Sequence, residues 1–257
     1  MKRLLSRRNL QWLREVAARK VLLAFDFDGT LAPIVAEPGA ARMRERTARL
    51  LEQVCRLYPC AVISGRGRRD VAGRLGQARV KYVVGNHGVE VDGSDAPYRS
   101  TMARAVTSLE RGLATVQGVE LEDKGSSISL HYRRARRPNQ ARSQILQALQ
   151  VLPGPTRIVP GKFVINVLPF GAPHKGDALL ALRDASRAEA ALYVGDDVTD
   201  EDVFELRQPG RLVTVRVGAS RGSSAEYYLR HQREIDLLLE VLVAARAAGA
   251  RVGETRE

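Results

Sequence analysis

Five short apolar runs punctuate the chain: residues 21–26 (VLLAFD), 60–64 (CAVIS), 80–84 (VKYVV), 191–195 (ALYVG) and 211–217 (RLVTVRV). They show little in-out alternation, which predicts strands buried on both faces, as in a parallel sheet covered by helices. Elsewhere apolar residues return every three to four positions. Leu10, Leu13, Val16 and Ala17 mark one such stripe near the N-terminus, and Leu50, Leu51, Val54 and Leu57 mark another within residues 41–57. Residues 175–185 and 224–246 carry two more. Strands alternating with helices predict βαβ units and an α/β, Rossmann-like, doubly wound parallel sheet.

The middle of the chain reads differently. A helical pattern over 100–116 is followed by two strand patterns, 118–123 and 126–132, around the turn Lys124-Gly125. A second helical pattern, 138–151, precedes a second hairpin, 156–159 and 162–168, around Pro160-Gly161. This αββαββ order predicts an antiparallel sheet with helices on one face. Both flanks, 92–97 (DGSDAP) and 169–173 (PFGAP), are rich in turn formers. The pattern therefore predicts an α+β domain, residues 96–171, inserted into a core made of 1–95 and 172–257, with the two linkers acting as a hinge.

Composition narrows the class. The chain has 257 residues, enough for one large core or two modest ones. It has no apolar run of 18 or more residues, so no membrane span is expected. The first twenty residues lack the apolar core of a signal peptide. Two cysteines, Cys55 and Cys60, argue against a disulfide framework and fit a reducing, cytoplasmic location. The net charge of +12 is spread along the chain. Its local clusters, 66–69 and 133–137, are not interleaved with aromatic residues, so no nucleic-acid partner is expected. The oligomeric state stays open, with a monomer allowed. Only six of the 41 basic residues are lysine, and Lys124, Lys162 and Lys175 fall in the motifs below.

In an open parallel sheet, ligands bind beyond the carboxyl ends of the strands. Asp26 and Asp28, Ser64, and Asp196 and Asp197 all fall at such ends. Carboxylates gathered in one crevice repel one another unless a cation neutralises them. Hard oxygen ligands suit Mg²⁺. With two cysteines and four histidines in the whole chain, zinc is not expected. Carboxylates with Mg²⁺ point to phosphoryl transfer. Asp26 can attack phosphorus as a nucleophile. Asp28 can protonate the leaving oxygen and then deprotonate water. The Ser64 hydroxyl and the amides of Gly65 and Arg66 can hold phosphate oxygens, and Lys175, opening a helix, supplies positive charge. Asp196 supplies the second metal carboxylate, with Asp197 and Asp200 in support. Asp200, Glu201 and Asp202 also suit a solvated helix N-terminus.

The motif order DFDGTLAPI (26–34), SGR (64–66), HKGDAL (174–179) and GDDVTDEDVF (195–204) resembles the haloacid dehalogenase superfamily. The insert resembles its C2-type cap. With GNHGVE (85–90) and LEDKGSSISLHYR (121–133), the chain more narrowly resembles the trehalose-6-phosphate phosphatase family. That resemblance implies Mg²⁺-dependent hydrolysis of a small-molecule sugar phosphate through an aspartyl-phosphate. It implies Asp26 as nucleophile, Asp28 as acid and base, and Mg²⁺ on Asp26, the Asp28 carbonyl and Asp196. It further implies Ser64 and Lys175 on the phosphate, with Glu122, Lys124, Arg133 and Lys162 on the sugar. His87 and Gly88 match the family's core loop facing the cap. The last cap strand departs from the family, with Asn166 where Glu is usual and Leu168 where Arg is usual. An uncharged Asn still donates and accepts hydrogen bonds. The departure leaves a phosphatase of another glycosyl phosphate as the alternative. A nucleic-acid-binding module on the same fold, or a catalytically silent partner protein, are readings of a different class.

Overall fold

The structure, a computed structural model, describes residues 1–91, 95–161 and 163–254, with the backbone alone over 248–254. Along the chain run β1 (Lys2–Arg3), α1 (Arg7–Ala18), β2 (Val21–Phe25), α2 (Glu45–Leu57), β3 (Cys60–Ile63), α3 (Arg68–Arg74) and β4 (Tyr82–Val84). Next come α4 (Ala96–Leu113), β5 (Glu120–Asp123), β6 (Ile128–His131), α5 (Pro138–Gln150), β7 (Thr156–Gly161) and β8 (Val164–Pro169). The chain ends with α6 (Lys175–Ala185), β9 (Ala190–Gly195), α7 (Glu201–Phe204), β10 (Leu212–Val217), β11 (Tyr227–Leu229) and α8 (Glu234–Glu254). The chain divides into two compact units, Met1–Gly88 with His174–Glu257, and Val89–Pro173. The cuts fall at 88/89 and 173/174, against the expected 95/96 and 171/172. Among the described residues, no helix is long and apolar enough to cross a membrane.

The first unit holds a seven-stranded, all-parallel sheet in the order β1-β11-β10-β9-β2-β3-β4. Every residue of β2 is buried. Val21, Leu23 and Phe25 point to one face, where Leu13 and Val16 of α1, Leu51 and Val54 of α2, and Leu238 and Leu242 of α8 complete a core. Each fully buried side chain of this size contributes about 1.5–3 kcal/mol. α6 packs on β3 and β9, outside that cluster, so helices cover both faces. This is the doubly wound sheet expected from the unbroken apolar runs.

Two core strands escaped the pattern. β1 has two residues, both basic. Residues 224–246, expected as one helix, instead give β11 and then α8. Tyr227 and Leu229 are buried on either side of half-buried Tyr228, and β10 and β1 take up the backbone on both sides. Pairing on two edges outweighs the helical spacing of so short a stretch.

The second unit is an antiparallel sheet, β5-β6-β8-β7, with α4 and α5. Leu121, Ile128, Leu130, Ile165 and Val167 face the two helices and join Met102, Leu109, Ala141 and Ile145 in a separate core. The row Glu122, Ser129, Asn166, Val159 crosses all four strands on the opposite face. Pro160 and Gly161, expected as the hairpin turn, lie inside β7, paired with Ile165 and Val164. An edge strand tolerates proline because the missing N–H faces away from the ladder.

Candidate active site

The site is built at the carboxyl end of the parallel sheet, where β9, β2 and β3 are neighbours. Asp26 extends the ladder one residue past β2, its N–H donating to Val194 O at 2.8 Å. The chain then turns sharply: Ala32 N–H donates to Phe27 O and Gly29 N–H to Ala32 O, each at 2.8 Å. Gly29 takes φ 84°, and a Cβ there would lie 2.0 Å from a carboxylate oxygen of Asp196. Only glycine accommodates both the backbone and the neighbour. The turn thereby brings the Asp26 segment against Asp196, whose Oδ1 lies 3.5 Å from the Thr30 hydroxyl.

Lys175 arrives from the opposite segment. His174 caps α6: its Nδ1 accepts the Gly176 and Asp177 amides at 3.0 and 3.2 Å, while Asp177 accepts the His174 amide. The lysine that opens the capped helix is almost fully buried, and its ammonium donates to Asp26 Oδ1 and Asp200 Oδ1, both at 2.8 Å. Asp200 is the anchor of the cluster. Its Oδ1 also accepts the Tyr193 hydroxyl at 2.6 Å, and its Oδ2 accepts the amides of Asp196 and Asp197 at 2.7 and 2.9 Å. The expected solvated helix terminus does not hold for this residue: Asp200 is 0% exposed. Four donors replace the water it has lost. Exposed Asp197 caps the short turn Val198–Asp200.

Oxygen atoms of Asp26, Asp196 and Asp200 all lie within 4.8 Å of one another. Their electrostatics differ sharply. Burial pushes the Asp26 carboxyl up to about 7, opposed by Lys175 and helped by the Asp200 charge. Burial and the charges of Asp26 and Asp200 raise Asp196 to about 9. Asp200 is pushed up by burial as well, but Lys175 and its hydrogen bonds hold it below the ordinary carboxylate range. When all are ionised, three carboxylates against one ammonium leave an excess of negative charge. The donors are hard oxygens. Asp200 has its four acceptor positions filled, whereas Asp26 accepts one side-chain hydrogen bond among the described residues. This set fits a small divalent cation such as Mg²⁺, which Asp26 and Asp196 would hold.

Ser64 follows β3, buried, its Oγ accepting the Arg66 amide at 3.2 Å. The loop after β4 folds over it: His87 N–H donates to Ser64 O at 2.9 Å, and a Cβ on Gly65 would lie 2.4 Å from the His87 ring. Asn86 and His87 both adopt positive φ, 48° and 58°. Two successive strained non-glycine residues of this kind cluster at functional sites. Gly88, φ 112°, lies against the His174 backbone, 2.4 Å from where its Cβ would sit. Ser64, Gly65, Arg66, His87, Gly88 and Lys175 thus form one neighbourhood. Asp28 is held by the Arg66 guanidinium.

The remaining expected residues belong to the second unit. Glu122 Oε2 lies 2.8 Å from the His131 ring and 3.8 Å from Lys124 Nζ. Asn166 accepts the Ser129 hydroxyl at 2.7 Å, and its amide lies 3.4 Å from Val159 O. The Arg133 guanidinium lies over the Phe163 ring at 6.0 Å. Leu168 is fully buried with Val89 and Ala172. Lys162 lies outside the described residues. Sequence reasoning missed Tyr193, Thr30 and His131. Tyr193 read as one more core residue of β9, although a buried tyrosine implies a partner for its hydroxyl.

These features define the haloacid dehalogenase fold, and solved structures agree. The C-terminal domain of Candida albicans trehalose-6-phosphate phosphatase superposes with a TM-score of 0.76 at 23% identity, covering 92% of this chain and 97% of that one. A trehalose-6-phosphate phosphatase related protein gives a TM-score of 0.71 at 19% identity, over 92% and 100% of the two chains. Within that class, residues 24–233 match the trehalose-phosphatase family model, and the chain belongs to that family. It is 31% identical over 208 residues to the trehalose-phosphate phosphatase of Mycobacterium tuberculosis, covering 76% of this chain and 53% of that protein. It is 27% identical over 250 residues to the probable trehalose-phosphate phosphatase 4 of Oryza sativa, covering 88% and 68%. The chain therefore spans about half the length of its mycobacterial relatives.

Proposed function

We propose that this chain is a Mg²⁺-dependent phosphatase that hydrolyses trehalose 6-phosphate to trehalose and phosphate. The observation that carries the reading is the buried Lys175, bridging Asp26 and Asp200 at 2.8 Å each, beside a second carboxylate, Asp196. Family membership supplies the substrate class.

The chemistry follows from those residues. An Asp26 oxygen attacks phosphorus, the bond from phosphorus to the sugar oxygen breaks, and Asp28 gives its proton to that oxygen. Water then attacks the aspartyl-phosphate, Asp28 takes a proton back, and phosphate leaves with Asp26 restored. Lys175 holds Asp26 in place and offsets its charge. Ser64, with the amides of Gly65 and Arg66, holds phosphate oxygens. Asp26, Asp196 and the Asp28 carbonyl would hold Mg²⁺, which would supply positive charge to offset that of the transferring phosphoryl group. His87 and Gly88 from the core, with Glu122, Lys124, Arg133, Lys162 and Asn166 from the inserted unit, are assigned to the sugar.

A second reading, another glycosyl phosphate, draws on Asn166 and Leu168. Ser129 already engages the Asn166 carbonyl, and Leu168 is buried among apolar side chains. Two polar contacts usual in the family are thus altered, and lost polar contacts shift specificity strongly. A phosphate-release screen over sugar phosphates, with and without Mg²⁺, decides. Trehalose 6-phosphate is expected to be hydrolysed fastest, and only with the metal. Faster release from another glycosyl phosphate supports the second reading. Release undiminished by a chelator contradicts the metal assignment.

A further inference from the structure

Asp28, which carries the proton-transfer role, is clamped. Arg66 Nε–H donates to its Oδ2 at 2.6 Å and Nη2–H to its Oδ1 at 2.7 Å, a two-point fork. Arg66 is itself held on other sides. Nη1 donates to Asp70 Oδ2 at 3.0 Å, Nη2 also to Pro38 O at 2.8 Å, and the guanidinium carbon lies 5.8 Å from the Phe27 ring centre. Asp70 in turn accepts Arg74 Nε–H at 2.9 Å. The fork is partly shielded, the Arg66 side chain being 13% exposed and that of Asp28 38%. A guanidinium offers five N–H groups, and these contacts engage four of them.

From this geometry we infer that the Arg66 side chain is a positioning residue for Asp28 rather than a ligand of the substrate phosphate. The inference rests on the proposed phosphatase reading and deepens it. A planar fork fixes a carboxylate in direction as well as distance, which a single-point contact does not. It matches the ionised carboxylate, the form that receives the proton from water in the second half of the reaction. Aligned groups matter here because misplacement by about 1 Å costs on the order of 100-fold in rate. The backbone amide of Arg66, which donates to Ser64 Oγ at 3.2 Å, lies apart from this fork.

The two roles separate on 4-nitrophenyl phosphate. Its leaving group departs with the electron pair as nitrophenolate and needs no proton, so formation of the Asp26–phosphorus bond does not call on Asp28. Hydrolysis of that bond does, because water must lose a proton. Rapid mixing of Arg66→Gln and Arg66→Lys with this ester and Mg²⁺ should therefore give a burst of nearly one nitrophenolate per protein. A steady state about 10- to 100-fold slower than the parent should follow, with KM lowered alongside kcat. Asp70→Asn, which releases one anchor of Arg66 and leaves the fork in place, should show the same burst followed by a smaller slowing. A raised KM with kcat retained and no burst would assign Arg66 to the phosphate and overturn the inference. So would the absence of a burst in all three variants. Turnover of the sugar phosphate by the parent tests the phosphatase reading, and the burst in the variants tests Arg66, so the two fail separately.

Discussion

Asp26, Asp196 and Asp200 have the same side chain and share one small volume, yet they differ in what faces them. Asp200 is met by an ammonium, a phenol and two amides, and stays ionised below the ordinary range. Asp26 and Asp196 are pushed up to about 7 and about 9 from the usual 3.8. A carboxyl raised in the folded state stays protonated while its unfolded counterpart has already ionised. The native state then binds more protons, and stability falls as pH rises from near 3.8 through those two values. Asp200 works in the opposite sense, with stability present above its unfolded value and lost on acidification. A divalent cation competes with the protons of Asp26 and Asp196. Thermal unfolding with and without saturating MgCl₂ should therefore show a small Mg²⁺-induced rise in Tm below the Asp26 midpoint and a larger one above the Asp196 midpoint. A rise equal at both pH values, or none, contradicts the assignment of these two residues to the metal.

At the scale of elements, the turn after β2 sets the geometry. Gly29 is fixed twice, by φ 84° and by the Asp196 carboxylate beneath it. Gly29→Ala should lower stability by at least about 1 kcal/mol from the left-handed backbone alone. It should also abolish the Mg²⁺-induced rise in Tm, because Asp196 must move. An unchanged unfolding midpoint in urea would show that the turn is not so constrained. Elements such as β2, β3 and β9 were legible because burial on both faces leaves an apolar run with nothing else to explain it. The edge strand β1 and its neighbour β11 were not. Two or three residues are too few to display a period, and their partners, not their own composition, make them strands. The second hairpin was legible as a hairpin but not in its turn, because Pro160 is allowed on the outer strand.

For the whole molecule, the sheet order does the assembling. β9 lies beside β2, so Asp196 meets Asp26 across about 170 residues of sequence, with the entire second unit threaded between them. That meeting was legible in advance, since chemistry in such sheets gathers where strands end. The supporting contacts were not. Nothing in the spelling of ALYVG marks Tyr193 as a donor to Asp200, and an acidic run after a strand looks solvated until its first turn is seen to fold inward. The Arg66–Asp28 fork was hidden in the same way, joining residues 38 positions apart.

The central claim is that Asp26 is the nucleophile of a trehalose 6-phosphate phosphatase, and one comparison tests it most directly: phosphate release from trehalose 6-phosphate, in Mg²⁺, by the parent and by Asp26→Asn. Asparagine keeps the shape and removes the attacking carboxylate. The account predicts ready release by the parent and a fall in kcat of at least about a thousand-fold in the variant, with cooperative thermal unfolding retained. A variant that hydrolyses the substrate at the parent rate would contradict it.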